Sequence, residues 1–356
     1  MNDIKTLTLL RPDDWHLHLR DGDHLAAALP FTARQFARAV VMPNLKLPVT
    51  TVELADAYRQ RILNALPASM SFQPLMTLYL TNTTTPAEIH KAKASGFIVG
   101  CKLYPAGATT HSDAGVTAIE HIYPALEAMQ ETGLVLQVHG EVTHSDVDVF
   151  DRETVFIEQV LTPLTERFPK LKIVFEHVTT RGAVEFVQQA RSGVVATLTP
   201  QHLLHNRNAI FQGGIRPHYY CLPILKREHD RQALVAAATS DDTRFFLGTD
   251  SAPHAQHTKE NHCGCAGLFS AHAAIELYAE VFEQAGRLNY LQAFASERGA
   301  DFYGLPRNTT TIVLERVNWT PPSYYAYGKD HLIPMRAGET ISWRLRDASQ
   351  SGKLSA

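Results

Sequence analysis

Short runs of apolar, largely β-branched residues recur along the chain, each followed by a stretch with apolar positions at helical spacing. The runs are Trp15 to Leu19, Ala39 to Met42, Leu75 to Leu80, Ile98 to Tyr104, Leu134 to His139, Lys172 to His177, Val194 to Leu198 and Phe245 to Thr249. Helical segments between them include Thr51 to Leu66, Pro86 to Ser95, Ala118 to Glu131, Arg152 to Arg167, Arg181 to Gly193 and Arg227 to Thr239. Short apolar runs alternating with longer amphipathic ones are the pattern of parallel strands joined by covering helices. Eight such units predict a (β/α)8 TIM barrel, an α/β fold whose active end is the C-terminal end of the strands. A doubly wound open sheet is the alternative, but it usually carries a Gly-rich phosphate loop after its first strand, and none stands here.

Beyond the eighth run the pattern predicts helices at Ala271 to Ala285 and Leu291 to Tyr303, then short apolar alternation at Thr311 to Val317 and Thr340 to Leu345. Thr320-Pro321-Pro322 reads as a surface connection. The expectation is one domain over residues 1–356, with a barrel core at about 10–270 and C-terminal helical and short-strand additions at about 271–356.

Charge narrows the partners. Lys and Arg number 33 against 36 Asp and Glu, a net charge of −3, with no dense basic stripe to bind nucleic acid. No apolar run reaches the length of a membrane span, and Met1-Asn2-Asp3-Ile4-Lys5 lacks a signal-peptide core. A cytoplasmic protein acting on small molecules is expected. The 4 cysteines, Cys101, Cys221, Cys263 and Cys265, do not make a disulfide framework in so long a chain. Cys263-Gly264-Cys265 lies near His257 and His262, but the spacing is not that of a zinc ribbon.

The ends of the runs are polar where a packed interior should begin. The first holds His16 and His18, which alternation places on one face. The fourth holds Lys102, the fifth His139, the sixth His177, and the eighth Asp250. Singly, a strand-end histidine is usually a satisfied hydrogen-bonding group and such an aspartate a helix cap. All six on one rim form a metal-ligand set. Lys102 fits that set only without its positive charge; reaction with carbon dioxide would give an anionic carbamate able to bridge two ions roughly 3.5–4 Å apart. Such a pair suits hydrolytic attack on an amide, ester or phosphoester.

Arranged in this order, these residues resemble the amidohydrolase superfamily. Arg-Pro-Asp-Asp-Trp-His-Leu-His-Leu-Arg (11–20), Val-Met-Pro-Asn-Leu (41–45), Cys-Lys-Leu-Tyr-Pro-Ala-Gly-Ala-Thr-Thr (101–110) and Leu-Gly-Thr-Asp-Ser-Ala-Pro-His (247–254) resemble, within it, the shorter, homodimeric type of bacterial dihydroorotase. The resemblance runs from about residue 6 to residue 345. It implies reversible closure of N-carbamoyl-L-aspartate to L-dihydroorotate in pyrimidine biosynthesis. It implies two zinc ions per subunit: His16, His18 and Asp250 on one, His139 and His177 on the other, carbamylated Lys102 and a hydroxide bridging. Asp250 would be the general base and acid. His18, Arg20, Asn44, His139 and His254, with backbone groups at Leu222 and Ala266, would hold the substrate. Thr109 and Thr110 would close a lid formed by Pro105 to Val116, whose Gly, Ala, Thr and Ser content gives it few apolar anchors.

Two other readings stand beside this one. A cyclic amidase for hydantoins or dihydropyrimidines would not need the carboxylate-binding Arg20, Asn44 and His254. A catalytically silent assembly protein would be expected to lose ligands, and all six are present. Replacing Lys102 is expected to remove activity and to leave the fold largely intact, because the residue lies at the barrel rim.

Overall fold

A computed structural model describes residues 4–346. Met1 to Asp3 and residues 347–356, included in the expected domain, lie outside the described residues. All eight apolar runs form strands: β2 (Asp13–Leu17), β3 (Arg38–Val41), β4 (Gln73–Tyr79), β5 (Ile98–Leu103), β6 (Val135–Val138), β7 (Ile173–Phe175), β8 (Val194–Leu198) and β9 (Phe245–Leu247). They pair in parallel and in chain order. At the seam β2 meets the chain after β9 through a bridge from Leu17 to Ser251 and bonds from Asp250 N to His16 O (2.9 Å) and His18 N to Ser251 O (3.1 Å). The architecture is a TIM barrel.

Several strands end earlier than the apolar pattern suggests. Lys172 to His177 shrinks to Ile173–Phe175 and Phe245 to Thr249 to Phe245–Leu247. His177 (φ 42°) and Asp250 (φ 46°) adopt left-handed backbone, which leaves the ladder and puts their side chains in the loops just beyond it. Trp15 to Leu19 shifts to Asp13–Leu17, and Arg20 too is left-handed at φ 63°.

A bulge interrupts β2. Asp14 pairs with Ala39 but Leu17 pairs with Val41, so two residues of β2 stand against one of β3. Simple alternation would set Trp15 opposite His16. Instead Trp15 joins Val40, Met42, Leu75, Val135, Val174, Val195 and Phe246 in a cluster of its own, the kind of re-aiming that bulges produce beside functional sites. Trp15 stacks on Tyr303 (centroids 4.6 Å apart). A Cβ at Gly299 would lie 2.0 Å from Trp15 Nε1, so only glycine lets the helix Arg298–Tyr303 pass there. The strands' other apolar side chains, among them Leu17, Val41, Leu103, Val138, Phe175 and Leu247, pack in the main core with Leu29, Ile62, Ile89, Leu126 and Tyr278 of the helices.

Helix starts follow local chemistry. Thr51, Thr85, Thr180 and Thr199 each cap a helix by accepting a backbone N–H, with Pro86 and Pro200 in the first turn of their helices. The expected helix Arg152 to Arg167 is divided by a π-helical turn at Ile157–Leu161. Pro163, just beyond, has no N–H to continue the α register. The segment expected at Ala271 to Ala285 becomes helical only at Ala274, because the N–H groups of Ser270 and Ala271 are spent on Ser251 Oγ. Leu291 to Tyr303 likewise contains a π turn, Ala293–Glu297.

Features outside the expected pattern include the helix Gly22–Ala33, the short helices Pro200–Leu204 and Gln256–Lys259, β1 (Thr6–Leu10), and a hairpin of β11 (Tyr325–Tyr327) and β12 (Asp330–Leu332). In the C-terminal additions β10 (Thr311–Glu315) pairs antiparallel with β1 and with β13 (Arg344–Leu345). The first and last described strands thus join one sheet separate from the barrel. Among the described residues no helix is long and apolar enough to cross a membrane.

Candidate metal centre

Buried histidines crowd the C-terminal end of the barrel. His16 Nε2 lies 3.2 Å from His18 Nε2 and 3.3 Å from Asp250 Oδ1, and His18 Nε2 lies 3.1 Å from the same oxygen. The His177 ring sits between those of His16 and His139, its centroid 4.9 Å from each. Ligand atoms converge in two groups that share His16: His16, His18 and Asp250, and His16, Glu176 and His177. Lys102 is fully buried with Nζ against the Glu176 carboxylate, whose Oε2 is also 3.0 Å from His16 Nδ1. His139 Nε2 is turned 2.8 Å from Glu141 Oε2. The six ligand candidates therefore occupy one cluster.

Electrostatics suit a cation. Burial, reinforced by Lys102, lowers the His16 pKa to about 3, and burial likewise lowers His18 and His177. All three imidazoles are therefore neutral near pH 7, the form that ligates metal. Burial works to raise the Asp250 carboxyl, but the surrounding His16, His18 and His177 hold it well below the usual carboxylate range. Burial also depresses the Lys102 ammonium, against the attraction of Asp250, and so favours the free amine that could react with carbon dioxide. His177 Nδ1 is buried and has no hydrogen-bond partner. Neutral imidazoles, an ionised carboxylate and an unspent ring nitrogen make a donor set that fits divalent zinc.

Left-handed backbone at His177 and Asp250 costs about 1–3 kcal/mol each and needs external fixing. His177 N donates to Thr197 Oγ1 (2.8 Å), and the next turn is held by Glu153, which accepts from the N–H and hydroxyl of both Thr179 and Thr180. Asp14 accepts from Thr249 N (2.8 Å), Thr249 Oγ1 (2.6 Å) and His16 N (3.2 Å), and so ties the first barrel strand to the residue before Asp250. Asp14, Glu141, Glu153 and Glu176 are not among the residues singled out from the sequence. Only Asp14, inside the motif at 11–20, carried a signal there.

The residues expected to hold a carboxylate gather beside the cluster. Arg20 donates from Nε to Pro253 O (3.0 Å) and from Nη2 to His254 Nε2 (2.8 Å). Burial and then Arg20 keep His254 neutral, as an acceptor must be. Asn44 pairs Oδ1 with His18 Nδ1 (2.8 Å) and donates from Nδ2 to Thr110 O (3.0 Å). Thr110 Oγ1 reaches Ala266 O at 3.4 Å. Thr109 N is held by Ser112 Oγ within its own loop. Leu222 and Ala266 line the same small cavity as His16, His139 and Asp250. With Thr110 in place, that cavity measures about 20 Å³, on the order of one water. A second cavity, of about 670 Å³, shares Arg20 and Thr110 with the first and is lined also by His254.

A further buried histidine in this region reports on acid stability. His202 Nε2–H donates to Pro223 O (2.9 Å) and Nδ1 pairs with Thr199 Oγ1 (2.7 Å). Burial lowers its pKa from 6.5 to about 4. Protons then bind the unfolded chain first, so this contribution to stability is present above pH 6.5 and is lost as pH falls towards about 4. His202→Gln is expected to shrink the difference in unfolding free energy between about pH 7 and about pH 5 by about 2 kcal/mol. Denaturant unfolding of both proteins at the two pH values checks this; an unchanged difference refutes it.

Comparison with known proteins agrees with this geometry. The model of the amidohydrolase family matches residues 13–312. A dihydroorotase of Cupriavidus taiwanensis is 66% identical over 340 residues, 96% of this chain and 99% of that protein. The crystal structure of a Campylobacter jejuni dihydroorotase superposes with a TM-score of 0.88 at 38% identity, covering 96% of this chain and 97% of that one. A Saccharomyces cerevisiae dihydroorotase, solved in complex with 5-fluoroorotic acid, gives 0.87 at 34% identity over 97% and 99%. By its sequence, its barrel and its relatives, this chain belongs to the amidohydrolase family and, within it, to the dihydroorotases.

Proposed function

We propose that the chain is a zinc-dependent dihydroorotase, interconverting N-carbamoyl-L-aspartate and L-dihydroorotate in pyrimidine biosynthesis. The observation that carries the reading is the adjacency of two groups: the His16, His18, Lys102, His139, His177 and Asp250 cluster, and the Arg20, Asn44 and His254 set beside it. The first suits attack on an amide and the second suits an acidic ring. In this reading His16, His18 and Asp250 would hold one zinc and His139 and His177 the other, with Lys102, once carbamylated, as a further ligand. Bound zinc supplies Lewis acidity towards the amide carbonyl and acidifies the attacking water.

The chain's own groups do the rest. Asp250 Oδ1 is engaged by His16 and His18, which leaves Oδ2 to take the proton of the attacking water and pass it to the leaving ring nitrogen. Arg20 is positioned by Pro253 and His254, and its remaining N–H groups suit a planar carboxylate. Asn44 joins this site to the lid, since its side chain meets both His18 and Thr110. Because the cavity behind Thr110 has no room for a ring, Thr109, Thr110 and their loop must move for substrate to enter and can then close over it. A homodimer in the cytoplasm completes the reading.

Chelation tests it directly. Prolonged treatment with a strong chelator is expected to abolish ring closure of carbamoyl aspartate, and zinc with bicarbonate to restore it; full activity in the metal-free protein refutes the metal role. Equal turnover of dihydroorotate and carboxylate-free dihydrouracil would instead favour the general cyclic amidase.

A further inference from the structure

Lys259 ends the short helix Gln256–Lys259 in the loop after β9 and is 4% exposed. Its Nζ donates three hydrogen bonds, all to backbone carbonyls: Tyr220 (3.0 Å), Cys265 (2.8 Å) and Gly267 (2.6 Å). Three is the full complement of an ammonium group. Buried lysines are ordinarily paired with a carboxylate. The ionisable groups around it include the Cys221 and Cys265 thiols, the Arg20 guanidinium and the His218 and His254 imidazoles. Among the described residues no carboxylate pairs with it, and its hydrogen bonds go to carbonyl dipoles.

The three carbonyls come from two loops and bracket the two positions expected to meet the substrate ring. Tyr220 stands two residues before Leu222, and Cys265 and Gly267 flank Ala266. This segment has little regular structure to set its course: Gly267 N donates to Tyr220 O (3.0 Å), and the nearest sheet contact is the Ser251–Leu268 bridge. Gly267 has φ 143°, and a Cβ there would lie 2.8 Å from Ala252, so the chain turns at this point under tight constraint. Ala266 O also receives the lid through Thr110 Oγ1.

We propose that Lys259 is a positioning residue for substrate specificity: its ammonium gathers both loops so that the Leu222 and Ala266 backbone forms a ready edge for the ring, and its unpaired charge favours a ring bearing a carboxylate. The proposal rests on the site being one for an acidic cyclic amide. Removing the ammonium would take a donor from all three carbonyls, of which Tyr220 O keeps the Gly267 N–H, and would leave the loops without the tie that reaches Cys265 and Gly267 together.

The test uses zinc-loaded wild type, Lys259→Met and Lys259→Arg, with 5-fluoroorotate as the probe. Lys259→Met is expected to bind the probe at least about tenfold more weakly, with zinc content unchanged and faster amide exchange confined to segments 218–223 and 259–268. Lys259→Arg keeps the charge, but a planar guanidinium cannot serve three converging carbonyls equally. It should recover part of the affinity and show a raised KM for dihydroorotate with kcat within about threefold of wild type. Wild-type affinity and exchange in Lys259→Met overturn the positioning role, and Lys259→Arg binding no better than Lys259→Met overturns the charge role. Should Lys259→Met not fold, wild-type KM and exchange in Lys259→Arg overturn the proposal. If wild type neither binds the probe nor turns over dihydroorotate, the reading of the site fails, while the exchange data still decide the positioning role.

Discussion

Lys102→Ala is expected to lose at least about 10³-fold in the rate of ring closure, as removal of a group central to charge stabilisation does. It should also unfold more easily. Placed at the rim by the sequence pattern, Lys102 is in fact fully buried against Glu176. Deleting Lys102 leaves the buried Glu176 carboxylate without its hydrogen-bond donor, a cost of about 1–3 kcal/mol in the metal-free protein. A fold largely intact is still expected, at a lower stability. A double variant separates the two effects: adding Glu176→Gln removes the orphaned charge, so stability should largely return while activity stays lost. Full activity in Lys102→Ala refutes the carbamate. Equal stability of the single and double variants refutes the energetic role of the pair.

Asp250→Asn tests the proton carrier. The amide is close in shape to the carboxylate and can still offer an oxygen to His16 and His18, but it cannot accept and return a proton. The expected result is a fall in kcat of about 10²–10⁴ with KM for dihydroorotate changed far less. Steady-state kinetics in both directions check it, since one group serving as base and acid must fail in each. A loss confined to one direction refutes the shared role. The asparagine side chain tolerates left-handed φ, so the backbone turn should be kept, and zinc content measured alongside the kinetics separates loss of the proton carrier from loss of a ligand.

The six candidate ligand positions were legible because each stands at or just beyond the end of an apolar run, where periodicity locates a strand and the interruption by a polar residue is conspicuous. The bulge in β2 was not. Alternation in Asp14-Trp15-His16-Leu17-His18 gives the correct relation between the two histidines and the wrong one for Trp15, which shares the interior cluster. Glu176 was overlooked because a carboxylate beside His177 reads as an ordinary neighbour; only the folded barrel brings it across to Lys102. Asp14 and Glu153 act through bonds to residues far along the chain or in another loop, and no spacing in the sequence announces such pairs. The π turns escaped for a different reason: an amphipathic stripe of this length reads equally well with or without one extra residue in a turn. Strand ends were overextended where left-handed residues leave the ladder, since side-chain polarity carries no direct mark of φ.

The seam between β2 and the chain after β9 has a consequence for how the protein is made. His16 and His18 leave the ribosome early, whereas Asp250 follows more than half the chain later, and the bonds from Asp14 to Thr249 exist only when first and last strands meet. A nascent chain can carry five of the six donors and still lack the clasp that brings them to one point. On the proposed reading, tight metal capture would wait for barrel closure, and an ion bound at that moment would join the two ends of the sheet. The centre would then be a fastener set by the last strand to arrive, and synthesis stalled before residue 250 would yield a chain lacking one of its proposed ligands.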